Sequence, residues 1–210
     1  MIRILIADDH SIVRQGLKQI VSECRGMVVA GEAASGQEAL DLARKRDFDV
    51  AIVDIAMPAR GGLEILRDLR AEKPSMKVMV LSMYSEEQYA IRSLRDGASA
   101  YLTKAGAPDE LVQAIRAVAK GNRYITPSVA ERMAAYIEVD SEHPLHEKLS
   151  DRELRVLVLL GGGKSVGDIA TALSLSVKTI STYRARILKK TGMETTAQLI
   201  KYAVQHDLVQ

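Results

Sequence analysis

The chain has one cysteine, Cys24, among 210 residues, so no internal disulfide is possible and a reducing cytoplasm suits it. Cys24 reads as a bystander near a helix end. No apolar run approaches the roughly 20 residues of a membrane span. The opening MIRILIADDH lacks the basic region, apolar stretch and small-residue cleavage site of a secretory leader. These absences predict a cytoplasmic protein with no membrane partner. Strong net charge is also missing, but the balance of +2 is unevenly spread. Residues 148–210 hold 10 Lys and Arg against 5 Asp and Glu, while the rest hold 19 against 22. An acidic front and a basic back predict two domains with different partners. Hydrophobic residues make up 47%, enough for one or two real cores.

The front half alternates two patterns. IRILIA (Ile2–Ala7), MVVAGEA (Met27–Ala33), DVAIVD (49–54), KVMVLS (Lys77–Ser82) and SAYLT (99–103) are short apolar runs. Three of them are continuously apolar, as strands covered on both faces are. Between them lie amphipathic segments with helix-start signals. SGQE (35–38) and SEEQ (85–88) are capping-box sequences, and Pro108 before Asp109 and Glu110 suits a first turn. Five such units by residue 120 predict a doubly wound parallel sheet with helices on both faces.

Ligands bind such sheets beyond the carboxyl ends of the strands. The first strand ends in Asp8-Asp9, the third in Asp54, the fourth in Ser82, and Lys104 follows the fifth. Asp54 sits near the end of the almost wholly apolar stretch FDVAIVDIAMP, where an ionised carboxylate is costly to bury unpaired. Three converging carboxylates need a cation, and a hard divalent ion such as Mg²⁺ fits oxygen ligands. A carboxylate so placed can accept a phosphoryl group as an acyl phosphate, with the amine and hydroxyl binding its oxygens. Taken singly, Asp8-Asp9 could cap the helix starting near Ser11, and His10 reads as a local cap or surface residue.

Asp8-Asp9, Asp54 with Met57-Pro58 and Gly61-Gly62, Leu81-Ser82 and Tyr101–Lys104 together resemble the receiver domain of two-component response regulators, over residues 1–120. The resemblance implies a flavodoxin-like five-stranded fold and Asp54 as phosphoacceptor. It implies Mg²⁺ on Asp9, Asp54 and the Ala56 carbonyl, with Asp8 acting through water. Ser82 would move to the phosphoryl group, Lys104 would pair with it, and Tyr101 would rotate inward. Ala59-Arg60 stand where the family often has glycine beside the proline, a difference with a bearing on phosphorylation or dephosphorylation rates.

Residues 121–147 read as a linker with a possible helix in PSVAERMAAYI and polar residues, His143 and His146 among them, beyond it. Four helix starts follow: SDRE (150–153), Ser165 with Asp168, Ser176, and TTAQ (195–198). Segments 165–174 and 177–191 form a helix-turn-helix pattern. GGGKS (161–165) ends like a phosphate-binding loop, but the pattern needs a glycine where Val158 stands, so the glycines read as a helix stop and turn. At 100° per residue Ile180, Ile187 and Tyr183 face inward, leaving Lys178, Ser181, Thr182, Ala185 and Lys189 outside. Lys178, Thr179, Ser181, Thr182, Arg184, Arg186 and Lys189 are the candidate DNA contacts, hydroxyls at base edges and cations at phosphates.

LSDRELRVL, KSVGDIATALSLSVKTISTYRARILKKTG and LIKYAVQHDL place residues 148–210 as similar to the LuxR-type DNA-binding domain, an all-α unit of four helices. Asp168 stands where that family usually has Glu, Tyr183 where it has His, and Thr191 where it often has Leu. With the receiver, the chain resembles the NarL/FixJ family of response regulators. The resemblance implies a sensor histidine kinase as donor, double-stranded DNA as target, a homodimer when phosphorylated, and RNA polymerase as a possible partner. Two rivals are weaker. A dehalogenase-type phosphatase needs Asp-x-Asp at a strand end, which neither DDH nor DIA supplies. A protein-binding adaptor leaves the outer stripe of Lys178 to Lys189 without a purpose.

Overall fold

The computed structural model describes residues 1–57, 62–83, 86–106, 108–138, 144–206 and 208–209. Pro58, Ala59, Arg60, Gly61, His143 and the capping side chains of Ser85–Gln88 lie outside the described residues. The chain divides into two compact units, Met1–Glu138 and Val139–Gln210.

In the first unit β1 (Ile2–Ala7), β2 (Met27–Ala33), β3 (Val50–Asp54), β4 (Lys77–Ser82) and β5 (Ala100–Thr103) form one sheet in the order β2-β1-β3-β4-β5. Every pairing is parallel. The helices between and after them are α1 (Ser11–Ser22), α2 (Gly36–Lys45), α3 (Gly62–Glu72), α4 (Glu86–Arg95) and α5 (Pro108–Ala119). Strand side chains alternate between faces. Ile4, Ile6, Val50, Ile52 and Met79 pack with Leu17 and Val21 of α1 and Ile115 and Val118 of α5. The intervening Leu5, Ala51, Val53, Val78 and Val80 point to the other face and are buried too, which is why these strands read as unbroken apolar runs.

Local chemistry sets the helix starts. Ser35 accepts the Glu38 N–H at 3.2 Å, and Glu38 reaches back to the Ala34 N–H at 2.7 Å, one residue beyond the usual capping box. Neither Asp8 nor Asp9 is the N-cap of α1; His10 is, without a side-chain cap bond. After α5 the chain crosses to the sheet edge, where the Tyr124 N–H donates to the Ser99 carbonyl at 2.9 Å and a parallel bridge joins Tyr124 to Ala100. Next, α6 (Pro127–Glu138) packs on α4, with Val129 buried. The helix foreseen inside the linker is therefore part of the first unit.

The second unit opens on a 3-10 turn, Leu145–Lys148, followed by α7 (Asp151–Gly161), α8 (Val166–Ala172), α9 (Val177–Thr191) and α10 (Thr196–Gln205). Full capping boxes start three of the four α-helices, at Ser150, Ser165 and Thr195. Ser176 accepts the Thr179 N–H to start α9. The three glycines do end α7: Gly162 caps it, and Gly163 takes φ +78°, a left-handed conformation that costs glycine little. Leu154, Leu157, Ile169, Ile180, Ile187, Leu199 and Ala203 form the buried centre.

Candidate functional site

The β3–β4 register sets Asp54 beside Leu81, and β4–β5 pairs Ser82 with Thr103. The backbone ladder continues one step further, from the Lys104 N–H to the Ser82 carbonyl at 2.7 Å. Strand geometry therefore delivers Asp8, Asp54, Ser82 and Lys104 to one end of the sheet. Lys104 Nζ lies 2.6 Å from Asp8 Oδ2 and 2.9 Å from Asp54 Oδ2, with all three side chains nearly sealed from solvent. Asp54 Oδ1 accepts the Ala56 N–H at 3.1 Å. Ser82 and Tyr101 are buried, so the Tyr101 ring is already inside in this structure.

Burial pushes the Asp54 carboxyl above its ordinary range; Lys104 and the Ala56 N–H pull it down without fully offsetting that. For Lys104 burial acts against the charged amine, but Asp8 and Asp54 together outweigh it and raise its pKa. One cation thus serves two buried carboxylates, with Asp9 a third at the rim. Carboxylate oxygens of Asp8, Asp9 and Asp54 and a ring nitrogen of His10 lie within 4.8 Å of one another. An oxygen-dominated set short of positive charge is what a hard divalent cation fits.

Two further residues frame this pocket: His10, read from sequence as a local cap or surface residue, and Arg14, which the sequence reading did not single out. His10 Nδ1 sits 3.2 Å from Asp8 Oδ1 and 3.0 Å from Asp9 Oδ1 while its ring stays exposed. Arg14, one turn into α1, donates to the Asp8 carbonyl at 2.7 Å. Its spacing of six residues from Asp8 was visible, but nothing in the sequence tells that the guanidinium turns back.

On α9, Ile180 and Ile187 are fully buried, while Lys178, Thr182, Ala185, Arg186 and Lys189 are exposed and Ser181 is half-buried. Tyr183 lies on the flank, half-buried, its hydroxyl taking Arg152 Nη1 at 3.3 Å. Two candidate contacts are turned into the frame. Thr179 Oγ1 is bonded to Ser176 Oγ at 2.8 Å, and Arg184 Nη1 reaches Thr196 Oγ1 of α10 at 3.5 Å. Lys190 is committed as well, to the buried Glu153 of α7 at 2.6 Å.

The response regulator receiver domain matches residues 4–116, and the luxR family of bacterial regulatory proteins matches residues 147–203. The response regulator GacA of Pseudomonas aeruginosa is 37% identical over 210 residues, covering 100% of this chain and 98% of that protein. The response regulator UvrY of Escherichia coli K12 is 35% identical over 209 residues, covering 99% and 96%. Among solved structures, RcsB of Salmonella enterica serovar Typhimurium, bound to promoter rprA in the presence of the phosphomimetic BeF3⁻, aligns with a TM-score of 0.64 at 28% identity, covering 97% of this chain and 99% of that one.

The chain belongs to the NarL/FixJ family of response regulators. It is a DNA-binding transcription regulator with a receiver and a LuxR-type domain. Two departures from the family pattern in the LuxR-type domain are accommodated in this regulator. Asp168 completes its capping box, and Thr191, buried, donates to the Ile187 carbonyl at 2.8 Å. Among the described residues no helix is long and apolar enough to cross a membrane.

Proposed function

We propose that Asp54 is the phosphoacceptor of this regulator and that phosphorylation by a sensor histidine kinase in the cytoplasm switches its binding to DNA. The observation that supports this most is the single buried amine, Lys104, shared between Asp8 and Asp54 at the strand ends. Mg²⁺ fits the donor set: Asp9, Asp54 and the Ala56 carbonyl would hold it, with Asp8 assisting through water, and it would supply positive charge for phosphoryl oxygens. Asp54 is the nucleophile: its oxygen bonds to phosphorus as the donor's N–P bond breaks, and the imidazole keeps the electron pair. Ser82 and Lys104 then bind phosphoryl oxygens, and Lys104 leaves its pairing with Asp54 to do so. Buried Tyr101, on the neighbouring strand, repacks with Ser82.

On the output side α9 enters the major groove. Lys178, Arg186 and Lys189 face phosphates, and Ser181 and Thr182 face bases; Thr179 and Arg184 hold the helix in its frame. A homodimer on two half-sites is the bound form, and RNA polymerase is the further partner. The structure of RcsB on promoter rprA in the presence of a phosphomimetic supports a link between phosphorylation and DNA binding. The test is intact mass after incubation with acetyl phosphate and Mg²⁺. The wild type gains one phosphoryl group and Asp54→Asn gains none; equal labelling of the two would overturn the assignment.

A further inference from the structure

A hydroxyl has one proton to donate. On α9 two of these protons, of Thr182 and Thr191, are spent on the helix's own carbonyls, and a third hydroxyl is paired at the N-cap. Thr182 Oγ1 donates to the Lys178 carbonyl at 2.9 Å, and Thr179 Oγ1 shares its bond with Ser176 Oγ at 2.8 Å. Among the described residues of α9, Ser181 is the one hydroxyl with no hydrogen-bond partner, since that of Tyr183 on the flank takes Arg152. The outward face carries methyl groups instead. Val177, the first residue of the helix, is 56% exposed, and Ala185 is exposed further along. Val177 with Ser181, and Thr182 with Ala185, are neighbours at helical spacing. An exposed β-branched apolar side chain at the start of a helix gains nothing from water. In the major groove one base, thymine, offers a methyl group as its partner.

We infer that α9 selects its sites by apolar contact of the Val177, Thr182 and Ala185 methyls with thymine C5-methyl groups, with Ser181 the one hydroxyl for a base edge. This rests on the proposal that α9 faces the groove. It assigns Thr182 its methyl as the reading group, where the sequence alone suggested its hydroxyl.

The test uses the phosphorylated full-length chain. Duplexes are selected from a random pool, and the recovered duplex is remade with deoxyuridine in place of each thymine in turn, which removes only the methyl. At least one replacement per half-site should weaken binding about fourfold, the effect of one methyl taken out of water. Thr182→Val, which keeps a methyl and loses the hydroxyl, should keep the distinction between thymine and uracil at the base position it contacts. Thr182→Ser should bind it about fourfold more weakly and lose the distinction between thymine and uracil at one position. The inference is overturned if every uracil duplex binds as tightly as its parent, if Thr182→Ser retains affinity while Thr182→Val loses it, or if no thymine-containing duplex is enriched. Lys178→Ala and Lys189→Ala test the underlying reading. Each should lower the salt slope by about 0.9. Unchanged slopes would mean that α9 does not face DNA at all. Lowered slopes with indifferent uracil duplexes would remove the methyl contact alone.

Discussion

Glu153 offers the sharpest test of how the recognition helix is held. It is buried on α7, accepts the Ser150 N–H at 2.7 Å and takes Lys190 Nζ at 2.6 Å. Glu153→Gln keeps an oxygen for the Ser150 N–H, because glutamine also closes a capping box, and so removes only the negative charge that pairs with Lys190. A hydrogen bond to a charged group contributes about 1.5–3 kcal/mol. Lys190 is 41% exposed, so water screens it and about 1–2 kcal/mol is the better figure. Glu153→Ala also strips the cap, which adds about 1 kcal/mol, and leaves a void.

Hydrogen exchange of the full-length protein, read by peptide, separates the two units within one sample. Peptides from α7 and α9 should lose about 5- to 30-fold of their protection in Glu153→Gln, with those from the sheet unchanged. The pH dependence fixes the mechanism. Burial works to raise the Glu153 pKa, but Lys190 and the Ser150 cap outweigh it, and the carboxyl sits below its ordinary 4.5. A depressed folded value stabilises fully above the unfolded value, and the contribution is lost as pH falls through the folded one. Wild type and Glu153→Gln should therefore differ at pH 7 and converge as pH drops below 4.5. A difference that persists in acid, or unchanged protection of α9, would refute the strut.

Three other outcomes follow from single contacts. A Cβ on Gly62 would collide with the Asp54 carbonyl and stand 2.6 Å from Ile55 Cα, so Gly62→Ala should cost about 1–3 kcal/mol in thermal unfolding and slow phosphorylation, and a wild-type melt would contradict the placement. Lys104→Ala leaves Asp8 and Asp54 facing each other, so its melting temperature without Mg²⁺ should fall, and saturating Mg²⁺ should raise it by more than in wild type; an equal Mg²⁺ response would oppose the shared-cation picture. Tyr202→Phe removes the oxygen that meets the His146 N–H at 3.2 Å and its Nδ1 at 2.9 Å, and should cost about 1–3 kcal/mol, read as faster exchange in peptides covering 145–149.

The legible parts of this molecule were those whose physics is local. Strands buried on both faces show themselves as apolar runs, and a parallel sheet gives its strand ends a common direction, so Asp8, Asp54, Ser82 and Lys104 could be placed together without a single contact known. Capping boxes need three residues of spacing, which is why the starts of α7, α8 and α10 stood in the sequence. What stayed hidden depends on a partner far along the chain. His146 was counted as linker polarity, yet it docks on Tyr202, 56 residues away. Lys190 was one more cation on a basic helix until Glu153, 37 residues back, claimed it. Arg184 turns to α10, while Lys178, Arg186 and Lys189 stand in solvent. A cation at helical spacing has two uses, to meet a phosphate or to hold the helix that meets it. Composition and period are the same for both. Only depth and the nearest carboxylate or hydroxyl decide, and on α9 they set the solvent-facing Lys178, Arg186 and Lys189 apart from Arg184 and Lys190, which brace the helix.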